Sequence, residues 1–325
     1  MSALCTVIVP CYNMEKTISA CLDSLVNQTS QELEILVIDD RSKDRTAEIV
    51  KEYQMKYPQV RMIQKENGGI SSARNCGLEN IRTPYFGFVD SDDTVESDMF
   101  ETMLAKIQEE NSDLCVCNFI WEWPDHKRYH DEQIYYTEKE MMTRLMATLW
   151  NKVYRTDILS RFNLSFPIGY RYEDACFLYC LAANPLKISF VKNYFVHYIQ
   201  REGSITHTNN EKVRDMIEVF QRISNYYKDR NLDQVYYQEL EFLYAKFFLG
   251  NSFLRAAQIK DKNERKNVLK LHWDTLTETY PNFRYNPYLK KLSATKKVYY
   301  GLISKKTYQL IGEVLHVAYQ LKGGL

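Results

Sequence analysis

The sequence predicts an α/β fold: a Rossmann-like, doubly wound, mostly parallel sheet with a C-terminal helical region. Three observations predict it. Short apolar runs alternate with helical patterns through roughly the first 90 residues, as βαβ units require. The most polar clusters stand where the apolar runs end. Beyond about residue 211 the strand signal disappears, and long helical patterns rich in Leu, Tyr, Phe and Lys take over.

The elements follow in order. Residues 4–9, LCTVIV, form an apolar run ending at Pro10, and Ile18, Cys21, Leu22 and Leu25 then recur at helical spacing. LEILVIDD (33–40) reads as a second strand finishing in two aspartates. Residues 44–57 open with an acidic N-cap candidate, Asp44, and continue with helical periodicity. VRMIQK (60–65) is a third strand, Gly68-Gly69 a turn, residues 71–81 a helix and residues 85–89 a fourth strand. Further on, helices are expected over 97–111, 137–149 and 170–184, a strand over 112–123, and one or two strands over 186–200. The polar stretch 205–212, with adjacent Asn209 and Asn210, is the best boundary. It separates residues 1–208, with halves 1–100 and 101–208, from a helical region 209–325.

Bulk properties exclude several classes. The 42 basic and 42 acidic side chains balance, which gives no global argument for a nucleic-acid partner. Eight cysteines lie in apolar surroundings without paired CxxC blocks of zinc spacing. The amino terminus lacks a signal-peptide pattern, and no run reaches the roughly 20 apolar residues of a membrane helix. A cytoplasmic protein with reduced thiols is expected.

Ligands of open α/β sheets bind outside the carboxyl ends of the strands. PCYN, DDRS and DSDD all fall there. In DSDD, Asp90, Asp92 and Asp93 crowd three carboxylates into four positions. Like charges so close repel by an amount on the order of kcal/mol per pair, so something positive should sit nearby. A divalent metal would serve; so would a solvated Asp-rich turn with local hydrogen bonds. The residues by themselves leave both open.

Five ordered motifs, VIVPCYN, VIDDRSKD, NGGISSARNCGL, FVDSDD and YEDACF, resemble those of the inverting nucleotide-diphospho-sugar glycosyltransferases with a GT-A fold, of bacterial surface-polysaccharide type. The resemblance covers about residues 4–205. It departs at Arg41, where many relatives carry glycine and where the side chain would alter the rim of the nucleotide pocket.

The resemblance implies a nucleotide-binding half, 1–100, and an acceptor-binding half, 101–208. It implies nucleotide contacts from Pro10, Tyr12, Asn13, Asp40, Asn67, Gly69, Arg74, Asp90 and Asp92. Tyr12 would stack on the base, and Asp40 would accept the uracil imide N–H. Asp39 is expected to bond backbone amides of its turn. Asp92 and Asp90 form a DxD motif whose hard oxygens suit Mn²⁺ or Mg²⁺, with His197 as a further metal candidate. Asp174 of the Glu173-Asp174 pair corresponds to the general base, and Glu173 would orient its neighbours. Lys152, Arg201, Ser204 and Asp93 would line the diphosphate and acceptor sites, Arg through its bidentate geometry. His197 fits a core strand position equally well.

The function so implied is metal-dependent inverting transfer from a UDP-sugar to a hydroxyl of a glycan or lipid-linked glycan. Two alternatives stand beside it. A nucleotidyltransferase would need a basic phosphate-gripping loop after the first strand, where the chain reads PCYNMEKT. A catalytically silent nucleotide-sugar-binding module would not need Asp92, Asp174 and Arg74 together. The tail from Arg284 onward holds eight basic residues and one acid, Glu313. That leaves three roles open: packing, homo-oligomerisation, or contact with the inner face of the cell membrane.

Overall fold

The structure, a computed structural model, describes residues 3–201 and 210–321. It divides into two compact units, Met1–Gly169 with Glu173–Arg201, and Tyr170–Tyr172 with Glu202–Leu325. The break expected at 208/209 falls among residues outside those described.

The first unit begins β1 (Cys5–Cys11), α1 (Ile18–Val26), β2 (Leu33–Asp39), α2 (Thr46–Lys56), β3 (Val60–Gln64), α3 (Ile70–Glu79) and β4 (Tyr85–Phe88). These strands pair in parallel in the order β3-β2-β1-β4. All of β1 is buried, so its sequence reads as a continuous run and not as an alternation. Helix α3 lies close over β1 at Gly77, where a Cβ would come within 2.5 Å of Ile8 Cγ2. Glycine at 77 sets that approach.

The strand order turns at β1, which has β2 on one side and β4 on the other. β4 ends at Phe88, opposite Ile8, and Val89 N–H donates to the Ile8 carbonyl. Pro10 faces the same side as Ile8 but lies past the end of β4, so its missing N–H breaks no ladder there. The sheet splits at that point, and this crevice is where doubly wound sheets hold their ligands.

The second half adds β5 (Thr94–Val95), α4 (Met99–Glu109), β6 (Leu114–Glu122), β7 (Lys127–His130), α5 (Glu138–Arg144), β8 (Lys152–Arg155), α6 (Ile158–Phe162), α7 (Glu173–Leu181) and β9 (Ile188–Ile199). β8 runs antiparallel between β4 and β6, β9 parallel to β6, and β5 and β7 antiparallel to β9 and β6. Sequence periodicity did not reveal β5, β7 or β8, because two to four residues are too few to display a period. The stretch 186–200 forms one strand of 12 residues, with a register shift against β6 at Asn118. One hydrophobic core joins Val7, Val9, Ile35 and Val37 to Leu22 and Leu25 of α1 and to Phe100, Met103 and Ile107 of α4.

Among its described residues the second unit is helical: α8 (Asp215–Lys228), α9 (Tyr237–Lys246), α10 (Ser252–Ala257), α11 (Lys262–Thr279), α12 (Pro287–Lys290), α13 (Ala294–Leu302) and α14 (Tyr308–Leu321). α8 buries Met216, Val219, Phe220, Ile223 and Tyr227, one face at helical spacing. α14 packs on α10 and α11, with Gly312 against Leu269.

Candidate active site

Because β1, β2 and β4 are parallel, their carboxyl ends bring three loops to one edge of the sheet. Asp39 and Asp40 close β2. Asp39 is fully buried; its Oδ1 accepts from Ser42 N–H (3.1 Å) and hydroxyl (2.5 Å), and its Oδ2 from Gln64 Nε2 (2.7 Å). It shapes the turn, as expected. Asp40 accepts from Lys65 Nζ at 2.8 Å, from Gly68 N–H at 3.0 Å and from Gly69 N–H at 2.7 Å. Its peptide oxygen accepts from Asn67 Nδ2 at 2.9 Å. Gly69 has φ +81°, a left-handed conformation that glycine adopts without strain, and it opens α3. Asp40 therefore fastens the Asn67-Gly68-Gly69 turn to the end of β2. Lys65, the partner that sequence reasoning missed, lies 25 positions away and carries no local signal.

Tyr12 stands 38% exposed just past Pro10. Asn13 is left-handed (φ +54°), and its side-chain oxygen accepts from Lys43 N–H at 2.8 Å. Its amide thus braces the loop after β2. Arg41 is also left-handed (φ +61°) and pairs with Glu66. A glycine preference at this position follows from that backbone.

The DSDD loop after β4 answers the charge question. Arg74, on α3 and 6% exposed, donates through Nη2 to Asp90 Oδ1 (3.1 Å) and through Nη1 to Glu173 Oε1 (2.5 Å). Arg201 directs both Nε (2.9 Å) and Nη2 (2.6 Å) to Asp92 Oδ2. Asp93 is fully buried, and its Oδ1 accepts from Ile199 N–H at 2.8 Å. Burial, then the charges of Asp90 and Asp92, pushes the Asp93 carboxyl well above its ordinary range. Each acid has its own partner: a guanidinium for Asp90, another for Asp92, and the β9 backbone for Asp93.

Glu173 and Asp174 occupy the first turn of α7. Asp174 is partly exposed and accepts from Ala175 N–H at 2.7 Å. Burial raises its carboxyl to about 7, reinforced by the Glu173 charge and opposed by Arg74. A carboxylate poised near neutrality suits proton abstraction. Burial likewise raises Asp90, opposed by Arg74.

The profile described as Glycosyl transferase family 2 matches residues 6–168. The chain belongs to that family.

Among its relatives in this glycosyltransferase family is the uncharacterized glycosyltransferase EpsJ of Bacillus subtilis (strain 168), 32% identical over 63% of this chain and 64% of that one. The chain therefore matches less than two thirds of the length of that relative. The S. aureus TarS 1–349 structure in complex with UDP-GlcNAc superposes with a TM-score of 0.70 at 23% identity, covering 98% of this chain and 92% of that one. The mannosyltransferase PcManGT from Pyrobaculum calidifontis, in complex with GDP-Man and Mn²⁺, superposes at 0.55 with 13% identity, covering 98% and 88%. These similarities show the GT-A fold.

Within this family member several site expectations need correction. Lys152 does not line an open site. It is fully buried, and its Nζ donates to the carbonyls of Thr148 (2.7 Å) and Met146 (3.4 Å) and to Asn151 Oδ1 (2.8 Å). Burial lowers its pKa. His197 does not turn a ring nitrogen to a metal: Nδ1 bonds Glu122 at 2.6 Å and Nε2 bonds Glu96 at 2.8 Å. It is a strand histidine held by two carboxylates, neither of which sequence reasoning picked out. Asp93 is enclosed and pins its loop, so it lines neither diphosphate nor acceptor. Asn13 faces the neighbouring loop. Ser204 lies outside the described residues.

Asp90 and Asp92 fit a divalent cation. Among the described residues no cluster of three or more His, Cys, Asp or Glu encloses a metal. Mg²⁺ is typically held by one or two carboxylates together with substrate phosphates, not by an all-protein cage. Two hard carboxylates at a strand end match that donor set.

Proposed function

We propose that this glycosyltransferase moves a sugar, with inversion, from a UDP-sugar to a hydroxyl of a glycan or lipid-linked glycan. One observation carries the reading: Arg74 bridges Asp90 and Glu173, which sets the donor-side DSDD loop and the Glu173-Asp174 pair into one site.

Tyr12 offers the nucleobase an exposed ring, a contact worth about 1–3 kcal/mol per base. Asp40 accepts the uracil imide as Lys65 gives way. Asp90 and Asp92 would hold Mn²⁺ or Mg²⁺, which would offset charge on the departing diphosphate. Arg201, paired with Asp92 in this structure, would turn its fork to a phosphate. The acceptor oxygen attacks the anomeric carbon as the bond to UDP breaks. The electron pair leaves on the diphosphate and the hydroxyl proton passes to Asp174. Glu173, fixed by Arg74, orients the base.

The setting we propose is cytoplasmic, the C-terminal region touching the membrane face or a second subunit. No disulfide forms among the described residues, in keeping with a reducing compartment, and no described helix is long and apolar enough to cross a membrane. The test is UDP release from a panel of UDP-sugars, with Mn²⁺ and with chelator, with and without glycan acceptors. Metal-dependent turnover of at least one UDP-sugar is expected. Binding of UDP-sugars without turnover under any condition would leave a silent binding module.

A further inference from the structure

Helix α14 is apolar on both of its long faces. Its inner side, with Gly312 buried, packs on α10 and α11. Its outer side presents Leu310 (64% exposed), Val314 (59%), Val317 (55%) and Leu321 (83%). Their spacing of four, three and four residues makes a single stripe along the helix. Helix α13 buries none of its residues and exposes Val298 and Leu302, one turn apart. Among the described residues nothing covers this apolar face.

The charges of the same C-terminal segment point to the partner of that face. Lys290, Lys291, Lys296, Lys297, Lys305 and Lys306 are all exposed. The single acid of the segment, Glu313, is engaged by Arg265 at 2.8 Å, which holds its carboxyl below the ordinary range. The outward charge of α13, α14 and their connections is thus wholly positive. A second copy of the same surface would set like charges against each other. Anionic lipid headgroups meet the lysines, and the acyl boundary receives the Leu and Val side chains. At 14 residues α14 is too short to span a bilayer, so it lies along the surface.

We propose that α13 and α14 form a docking face for an anionic membrane surface, through the stripe Leu310, Val314, Val317 and Leu321 and the flanking lysine pairs. The face is read from its own residues and stands whether or not the proposed reaction does. If both hold, the enzyme works beside lipid-linked acceptors.

The test is flotation of the full chain with vesicles of phosphatidylcholine containing about 30% phosphatidylglycerol, against phosphatidylcholine alone. Binding to the anionic vesicles is expected to be at least about tenfold stronger, and to weaken several-fold in about 0.5 M NaCl. Val314→Asp with Val317→Asp should abolish it, and Lys296→Glu with Lys297→Glu should reduce it. All four positions are exposed, and circular-dichroism melting checks that each variant stays folded. Equal or no binding to both vesicles by folded protein would overturn the proposal. So would a dimer that forms without lipid and is dissolved by the valine substitutions.

Discussion

Arg74 donates to Glu173 at 2.5 Å although the two residues lie 99 positions apart. The same guanidinium reaches Asp90, so one side chain ties the sheet crevice to the first turn of α7. Arg74→Ala would leave two acids of low exposure without their counter-charge. Breaking such a buried pair costs about 3–5 kcal/mol. A melting temperature lowered accordingly is expected, with turnover lost. Arg74→Lys should recover part of the stability but little activity, since one ammonium cannot span both acids. Wild-type melting in Arg74→Ala would show that the bridge contributes nothing.

Asp174→Asn keeps shape and removes the base. Transfer should fall by roughly 10² or more while UDP-sugar affinity stays near wild type. In the wild-type enzyme the rate should climb with pH through about 7, where Asp174 loses its proton. Retained transfer in the variant would remove Asp174 from the chemistry.

Stability should move the opposite way. The folded state holds the Asp174 proton to about pH 7, while the unfolded chain releases it near 3.8. Between those values the native state binds more protons, so its stability falls as pH rises from about 4 to 7. Asp174→Asn escapes that penalty. It should be more stable at neutral pH, by about 1–2 kcal/mol, and lose the advantage below pH 4. Urea titrations at pH 4 and pH 7.5 measure the difference.

Asp92→Ala should abolish Mn²⁺-dependent UDP binding, because it removes one of the two carboxylates offered to the cation. It also frees Arg201 from its partner. Calorimetry with UDP, with and without Mn²⁺, reads both. Undiminished metal-dependent affinity would exclude Asp92 as a ligand.

Arg41→Gly should stabilise the protein. At φ +61° the Arg41 backbone is strained by about 1–2 kcal/mol, and its pair with Glu66 is too exposed to compensate. Allowing for the greater freedom of glycine in the unfolded chain, a gain of up to about 1 kcal/mol is expected. It should appear as a raised urea midpoint with unchanged slope.

The alternation of strand and helix, the acids at strand ends and the helical tail were all legible in the sequence. They depend on local period and composition, which burial on one or both faces of an element writes directly into the chain. The partners of the site's acids were legible only in part, Arg74 beside Asp90 being the one within reach of sequence reasoning. Arg74 with Glu173, Arg201 with Asp92, and Lys65 with Asp40 join residues 25 to 109 positions apart, and only the folded sheet brings them together. Folding also withdrew candidates. Lys152 is buried with its ammonium turned back onto Thr148 and Asn151 just before it, and His197 is held between Glu122 and Glu96, which lie far from it in sequence. A residue's type fixes what chemistry it can do, but its burial and its partners decide whether that chemistry faces the ligand.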